Sequence, residues 1–240
     1  MLAKKYKSEL ISIINPFEGI YTLEFKSLNG KFKYQPGQFL HIALDEEYDG
    51  SGQWPESRCF SMQSNPNEET IRITYSVKGA FTKQMEKELK VGTHVWLKLP
   101  YGDLFTQPHD KNNTVFIAGG TGITPLLSLF THESFNEYIN PRIYLGFRSQ
   151  AYNIYQDELD LMIKLRNNLS VPEREAVEGN FVKLYYEDKD GILNIQSIAS
   201  ENSTESNYFI SGPPAMIKIF KQVLINKGIP TSNILTDDWE

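Results

Sequence analysis

Apolar and polar residues alternate in short runs through the first hundred positions. The runs are Ser8–Ile14, Ile20–Phe25, Phe39–Leu44, Thr70–Val77 and His94–Leu99. A period of two turns one set of side chains inward and the other outward, so each run predicts a strand. Asn15-Pro16, Asn29-Gly30, Pro36-Gly37 and Asn65-Pro66 lie between them and supply turn chemistry. Strands this short and this closely spaced predict a closed antiparallel β-barrel. One segment breaks the period: Phe81, Met85 and Leu89 recur every fourth residue and predict a helix from Phe81 to Leu89.

The pattern changes after the polar run Gln107–Asn113. Strand-like Val115–Ala118 precedes a helix from about Thr124, and Arg142–Phe147 precedes a helix over Gln156–Leu165. Phe181–Tyr186 follows, then Tyr208–Ile210 and a helix from Pro214 to Asn226. Strands alternating with helices imply βαβ units around a parallel sheet. The expected architecture is therefore an antiparallel β-barrel over 1–108 followed by an α/β, Rossmann-like parallel-sheet domain over 109–240. Residues 171–180 and 199–207 are polar and read as surface loops.

Composition narrows the function classes. The net charge of −6 over 240 residues argues against bulk nucleic-acid binding. No apolar run approaches the roughly 20 residues that span a bilayer, which implies no membrane insertion. No apolar stretch of the signal-peptide kind follows the basic residues of Met1–Lys7, so cytoplasm is the default location. Cys59 is the only cysteine, which excludes an intrachain disulfide, a multi-cysteine zinc site and a cluster held by four thiolates of this chain. His41, His94, His109 and His132 show no metal-ligand spacing, so structural or surface roles are expected of them and no metal.

Four segments carry candidate chemistry. In Arg58-Cys59-Phe60-Ser61 a strand would place Arg58 and Phe60 on one face, with a guanidinium able to fork onto a diphosphate beside a flat ring. The same residues would also suit a strand with one exposed Arg and one core Phe. Gly79 and Thr82 stand at the start of the helix carrying Met85, where first-turn N–H groups can bind phosphate or Thr82 can simply cap. Gly119-Gly120-Thr121-Gly122 links an apolar run to a helix with Pro125 in its first turn. This arrangement suits a phosphate cradle, although it matches neither G-x-G-x-x-G nor the P-loop. Ser211-Gly212-Pro213-Pro214 closes the last long strand and reads either as a ligand-facing strand end or as a rigid turn. Two anion sites, one beside an aromatic platform, suggest two nucleotide-type ligands.

With these segments in this order, the chain resembles the ferredoxin–NADP reductase superfamily. Pro36-Gly37-Gln38-Phe39 and Tyr101-Gly102-Asp103-Leu104 add to the likeness. The resemblance implies an FAD-binding barrel followed by an NAD(P)H-binding domain. Arg58 would bind FAD phosphate, Phe60 would pack on the isoalloxazine, Ser61 would sit near flavin N5, and Gly79 and Thr82 would hold the diphosphate. Gly120, Thr121, Gly122 and Pro125 would line the nicotinamide nucleotide, with Gly212 and Pro213 on its far side. Ser211 stands where many members have Cys, and Trp239 is the candidate for the aromatic that covers the flavin in many members.

The implied activity is hydride transfer from NADPH to FAD and release of single electrons to a protein acceptor. Ferredoxin or flavodoxin is the first expectation, with Lys83, Lys87 and Lys90 as a local basic patch for it. Alternatives are a reductase component of an oxygenase system, reduction of free flavin, a heme protein or a quinone, and a flavin-binding sensor or assembly subunit without turnover. Arg148-Ser149 follows a strand that no acidic residue directly ends, which favours NADPH, with NADH also open.

Overall fold

The period-two runs of the N-terminal half pair as antiparallel strands because each can bury only one face. The computed structural model describes residues 2–45, 47–167 and 181–237, and the chain divides into two units, Met1–Thr106 and Gln107–Glu240. In the first unit, β1 (Lys4–Phe17), β2 (Ile20–Ser27), β3 (Phe39–Ala43), β4 (Ser57–Ser61), β5 (Thr70–Ser76) and β6 (His94–Tyr101) form one sheet in the order β4-β3-β6-β1-β2-β5. The sheet curls onto itself, since the Gln63 N–H, just beyond β4, donates to the Arg72 carbonyl of β5 at 2.8 Å. Leu10, Phe25, Leu40, Ile42, Ile73 and Leu97 are fully buried inside it. Helix α1 (Ala80–Glu88) plugs this core with Phe81 and Met85, the residues whose fourfold spacing marked it.

Two of the quoted motifs interlock. Gly37 has φ +78°, and a Cβ there would lie 2.4 Å from the Phe105 ring. The buried Gln38 side chain accepts from the Gln35 N–H at 2.8 Å and donates to the Gly102 carbonyl at 2.8 Å. The entry to β3 is thereby fastened to the loop leaving β6.

The second unit has a five-stranded parallel sheet. Its strands are β7 (Thr114–Gly119), β8 (Arg142–Phe147), β9 (Val182–Tyr186), β10 (Asn207–Ser211) and β11 (Ile234–Thr236), in the order β11-β10-β7-β8-β9. β10 is buried throughout and β7 almost so, as expected of central strands covered on both faces. The helices are α2 (Thr124–Phe130), α3 (Gln156–Asn167), α4 (Glu187–Asp190), α5 (Ile195–Glu201) and α6 (Pro214–Asn226).

Three elements escaped the sequence reading. Residues 199–201, expected in a surface loop, complete α5, whose Ile195, Ile198 and Ala199 are buried and whose Asn194 carboxamide caps Gln196 and Ser197. α4 and β11 are too short for any period to register. The expected loop at 171–180 lies outside the described residues.

His109 has the structural role expected of an isolated histidine. Its Nδ1 lies 2.7 Å from the Gln107 carbonyl and its Nε2 2.8 Å from the Tyr138 hydroxyl, an arrangement that suits neutral imidazole donating from Nδ1 and accepting at Nε2. Burial pushes its pKa below the ordinary histidine value; the Gln107 bond opposes this, Lys111 adds to it and Asp110 opposes it. A depressed folded pKa means that the unfolded chain takes up the proton first. Stability from this group is therefore complete above about pH 6.5 and declines as pH falls towards the folded pKa. His109→Gln is expected to unfold with a smaller drop in thermal midpoint between pH 7.5 and 5.5 than the parent; equal drops would show that the imidazole contributes nothing.

Candidate functional site

In the first unit, the segment Arg58-Cys59-Phe60-Ser61 lies in β4, paired with β3 so that Phe60 opposes Leu40 and Ser61 opposes Phe39. Phe60 is half-buried, packed against the barrel core and tilted against Tyr75 with ring centroids 5.8 Å apart. Arg58 projects on the same face of the strand. Its guanidinium carbon lies 5.2 Å over the Phe81 ring in the first turn of α1, and this brings it to the helix N-terminus. The side chain is 52% exposed and donates to Glu56 at 2.9 Å and to the Ser57 carbonyl at 2.8 Å. An exposed pair of this kind is worth about 0–1 kcal/mol, little enough for an incoming anion to displace.

Gly79 is the N-cap of α1, with extended backbone and open space where a Cβ would stand. Of the two roles open to Thr82, capping is the one its hydroxyl performs. Its hydroxyl accepts from the Lys78 and Gly79 N–H groups at 2.9 and 3.1 Å and donates back to the Gly79 carbonyl at 3.1 Å. The hydroxyl is thus committed to the cap. What the turn offers an anion is the backbone N–H groups of Ala80, Phe81 and Thr82, which have no acceptor within the helix.

In the second unit, the glycine-rich turn lies at the carboxyl end of β7. The chain runs from β7 outward through β8 and β9, then returns to β10 on the other side of β7. The crevice between the ends of β7 and β10 is therefore the topological switch point, where open parallel sheets take their ligands. The glycines make it narrow. A Cβ on Gly122 would lie 2.4 Å from Gly212 Cα, one on Gly119 would lie 2.9 Å from the Met216 sulfur, and Gly212 has φ +150°. Gly120 differs: it is exposed with φ +55°, and nothing lies within 4 Å of its missing Cβ. Three glycines thus bring two strand ends together, while the fourth leaves a side-chain-free opening beside Thr121.

Residues Gly120–Ile123 form a 3-10 turn, and α2 begins only at Thr124. Pro125 and all of α2 are buried, so Pro125 shapes the turn from within and does not line a ligand surface. This corrects the expectation of direct contact. Pro213, by contrast, is exposed at the N-cap of α6, with Gly212 half-buried beside it.

Ser211 is also placed differently from expectation. It is 1% exposed, and its hydroxyl donates to the Asp237 carboxylate at 2.9 Å, while the Asp237 N–H donates to the Ile210 carbonyl at 3.0 Å. Asp237 was not singled out in the sequence, since only the pairing of β10 with β11 brings it beside Ser211. Trp239 lies outside the described residues. Arg148 follows β8, exposed, with its guanidinium carbon 5.9 Å over the Tyr152 ring.

No group of three or more His, Cys, Asp or Glu among the described residues forms a metal site, and no described helix is long and apolar enough to cross a membrane.

This geometry gives the first unit a strand–helix corner with a guanidinium beside open helix N–H groups, and the second a glycine-lined switch point. Residues 116–222 match the family model described as the oxidoreductase NAD-binding domain. The chain is 24% identical to the sulfhydrogenase 2 subunit gamma of Pyrococcus furiosus, over 96% of this chain and 82% of that one. It is 25% identical to the propane 2-monooxygenase reductase component of Mycolicibacterium goodii, covering 97% of this chain but 67% of the relative. The fold matches the flavohem-like FAD/NAD-binding domain of nitric oxide dioxygenase from Vibrio cholerae with a TM-score of 0.68, 18% identity and 98% coverage of both chains. Residues 116–222 thus carry the oxidoreductase NAD-binding family's pattern, and the whole chain has the two-unit fold of that FAD/NAD-binding domain family. The residues present fit the FAD and pyridine nucleotide of that family. Arg58 and the open first turn of α1 suit a diphosphate, and the side-chain-free opening at Gly120, over the Gly122–Gly212 contact, suits a flat ring approaching bare backbone.

Proposed function

We propose that this reductase takes a hydride from a nicotinamide dinucleotide held at the second unit, passes it to FAD held at the first, and supplies single electrons to a separate protein. The observation that carries the proposal is the glycine-built crevice at the switch point of the parallel sheet, with Gly122 against Gly212. Among the acceptors considered, the oxygenase reading is favoured over ferredoxin or flavodoxin, because a reductase component of an oxygenase is among the relatives. A cytoplasmic setting is part of the same proposal.

A bound flavin supplies the conversion of a two-electron donor into a one-electron source, and the protein supplies binding and orientation. In this reading Arg58 and the first turn of α1 hold the FAD diphosphate, Phe60 offers its ring to the isoalloxazine, and Ser61, at the end of β4, orients the encounter at N5. Thr82 contributes by fixing the helix start. Gly120 and Thr121 would admit the nicotinamide half over bare backbone, with the close contact of Gly122 on Gly212 forming its floor and exposed Pro213 its edge. The Asp237 carboxylate holds Ser211 in place beneath that crevice.

The test is anaerobic addition of NADH and of NADPH to the FAD-loaded protein. Bleaching of the flavin absorbance within seconds by at least one of them is expected. Flavin that neither nucleotide reduces would overturn the reductase proposal in favour of a flavin-binding sensor. Similarity to the gamma subunit of a sulfhydrogenase supports a second reading of the acceptor, in which it is a stably bound partner subunit. Copurification of a stoichiometric partner from the native source would separate that arrangement from a transient encounter.

A further inference from the structure

We infer that the acidic turn α4 makes this protein select the free 2′-hydroxyl of NADH over the 2′-phosphate of NADPH. The inference rests on the nucleotide reading of the second unit. β8 and β9 are parallel neighbours whose last registered pair is Phe147 with Tyr186, so Arg148 and Glu187 leave adjacent strands side by side. The Asp188 N–H donates to the Arg148 carbonyl at 3.2 Å, which folds α4 directly against the segment that follows β8. Open parallel sheets bind the ribose of a dinucleotide in this region, outside the carboxyl ends of the strands.

The charges there oppose a phosphate. Glu187, Asp188 and Asp190 are all exposed. Asp190 is engaged, its carboxylate accepting from the Tyr186 N–H at 2.9 Å. Glu187 and Asp188 remain at the rim. The nearby cations lie over rings, with the Arg148 guanidinium carbon 5.9 Å from the Tyr152 centroid and Lys189 Nζ 5.9 Å from that of Tyr186. Three carboxylates against two cations leave the locality net negative before any ligand arrives. A 2′-phosphate would add up to about two further negative charges at close range, on the scale of a phosphomonoester. A ribose 2′-hydroxyl can instead donate to a carboxylate, which is how an acidic residue selects NAD in this class of sheet. The sequence pointed the other way because no acidic residue directly follows β8; the carboxylates come from the neighbouring strand, forty residues on.

The experiment is calorimetric titration of the full chain with ADP-ribose and with 2′-phospho-ADP-ribose, which needs no turnover. ADP-ribose is expected to bind at least about tenfold more tightly, the equivalent of about 1.4 kcal/mol. The double variant Glu187→Gln/Asp188→Asn is expected to bring the two affinities within about threefold of each other. Arg148→Ala is expected to leave the order unchanged. Tighter binding of the 2′-phosphate form by the parent protein, or a ratio unmoved in the double variant, would overturn the inference while leaving the nucleotide reading intact. Binding of neither fragment would overturn both.

Discussion

Replacing Gly122 with alanine is expected to slow nucleotide-driven flavin reduction by about 10²-fold. The added Cβ would stand 2.4 Å from Gly212 Cα and 2.5 Å from Gly212 N, a backbone neighbour that cannot swing away as a side chain would. The ends of β7 and β10 must separate to relieve the overlap. Overpacking of this kind costs about 1–3 kcal/mol in stability. A displacement of about 1 Å in a hydride-transfer geometry costs about 10²-fold in rate. Gly120→Ala is the matched control, since its Cβ meets nothing within 4 Å and only the positive φ of +55° is penalised, by about 1–2 kcal/mol. Stopped-flow reduction of the two variants at saturating nucleotide separates overlap at the switch point from backbone strain in the turn. Equal rates in Gly122→Ala and the parent would remove the crevice from the mechanism.

Arg58→Ala is expected to weaken FAD binding by about 10²-fold while leaving the thermal midpoint of the flavin-free protein nearly unchanged. A hydrogen bond to a charged group contributes about 1.5–3 kcal/mol, so loss of a forked pair accounts for a change of that size. The fold has little to lose, because the guanidinium is half-exposed and its ion pair with Glu56 is a surface one. Arg58→Lys should recover only part of the affinity, since an ammonium keeps the charge but not the fork. Fluorescence titration with FAD gives both values. An unchanged dissociation constant in Arg58→Ala would move the diphosphate away from the corner between β4 and α1, and Phe60 and Ser61 would lose their assigned roles with it.

The candidate site was legible to different depths in its two halves. Arg58 and Phe60 sit where strand alternation puts them, on one face of β4, because a period of two is a local property of the backbone. The glycine turn was also visible, but its meaning was not. Gly122 and Gly212 look like ligand contacts in the sequence, yet each, like Gly119, avoids a clash within the protein itself, and of these four glycines only Gly120 opens onto free space. Thr82 takes the capping role of the two that the sequence leaves open, while Pro125, expected at the nucleotide, is buried.

The sequence by itself determined the order of the longer strands and helices, a change from antiparallel to parallel sheet placed near residue 108, and the places where strands give way to turns. These follow from hydrophobic period and turn chemistry within a few residues of each other. Only the tertiary structure decided that Ser211 is buried against Asp237, that Arg58 meets the start of α1 at Phe81, and that the carboxylates of α4 flank Arg148. Each of these joins residues twenty or more positions apart. Such pairings come from sheet register and strand order, which no local pattern encodes.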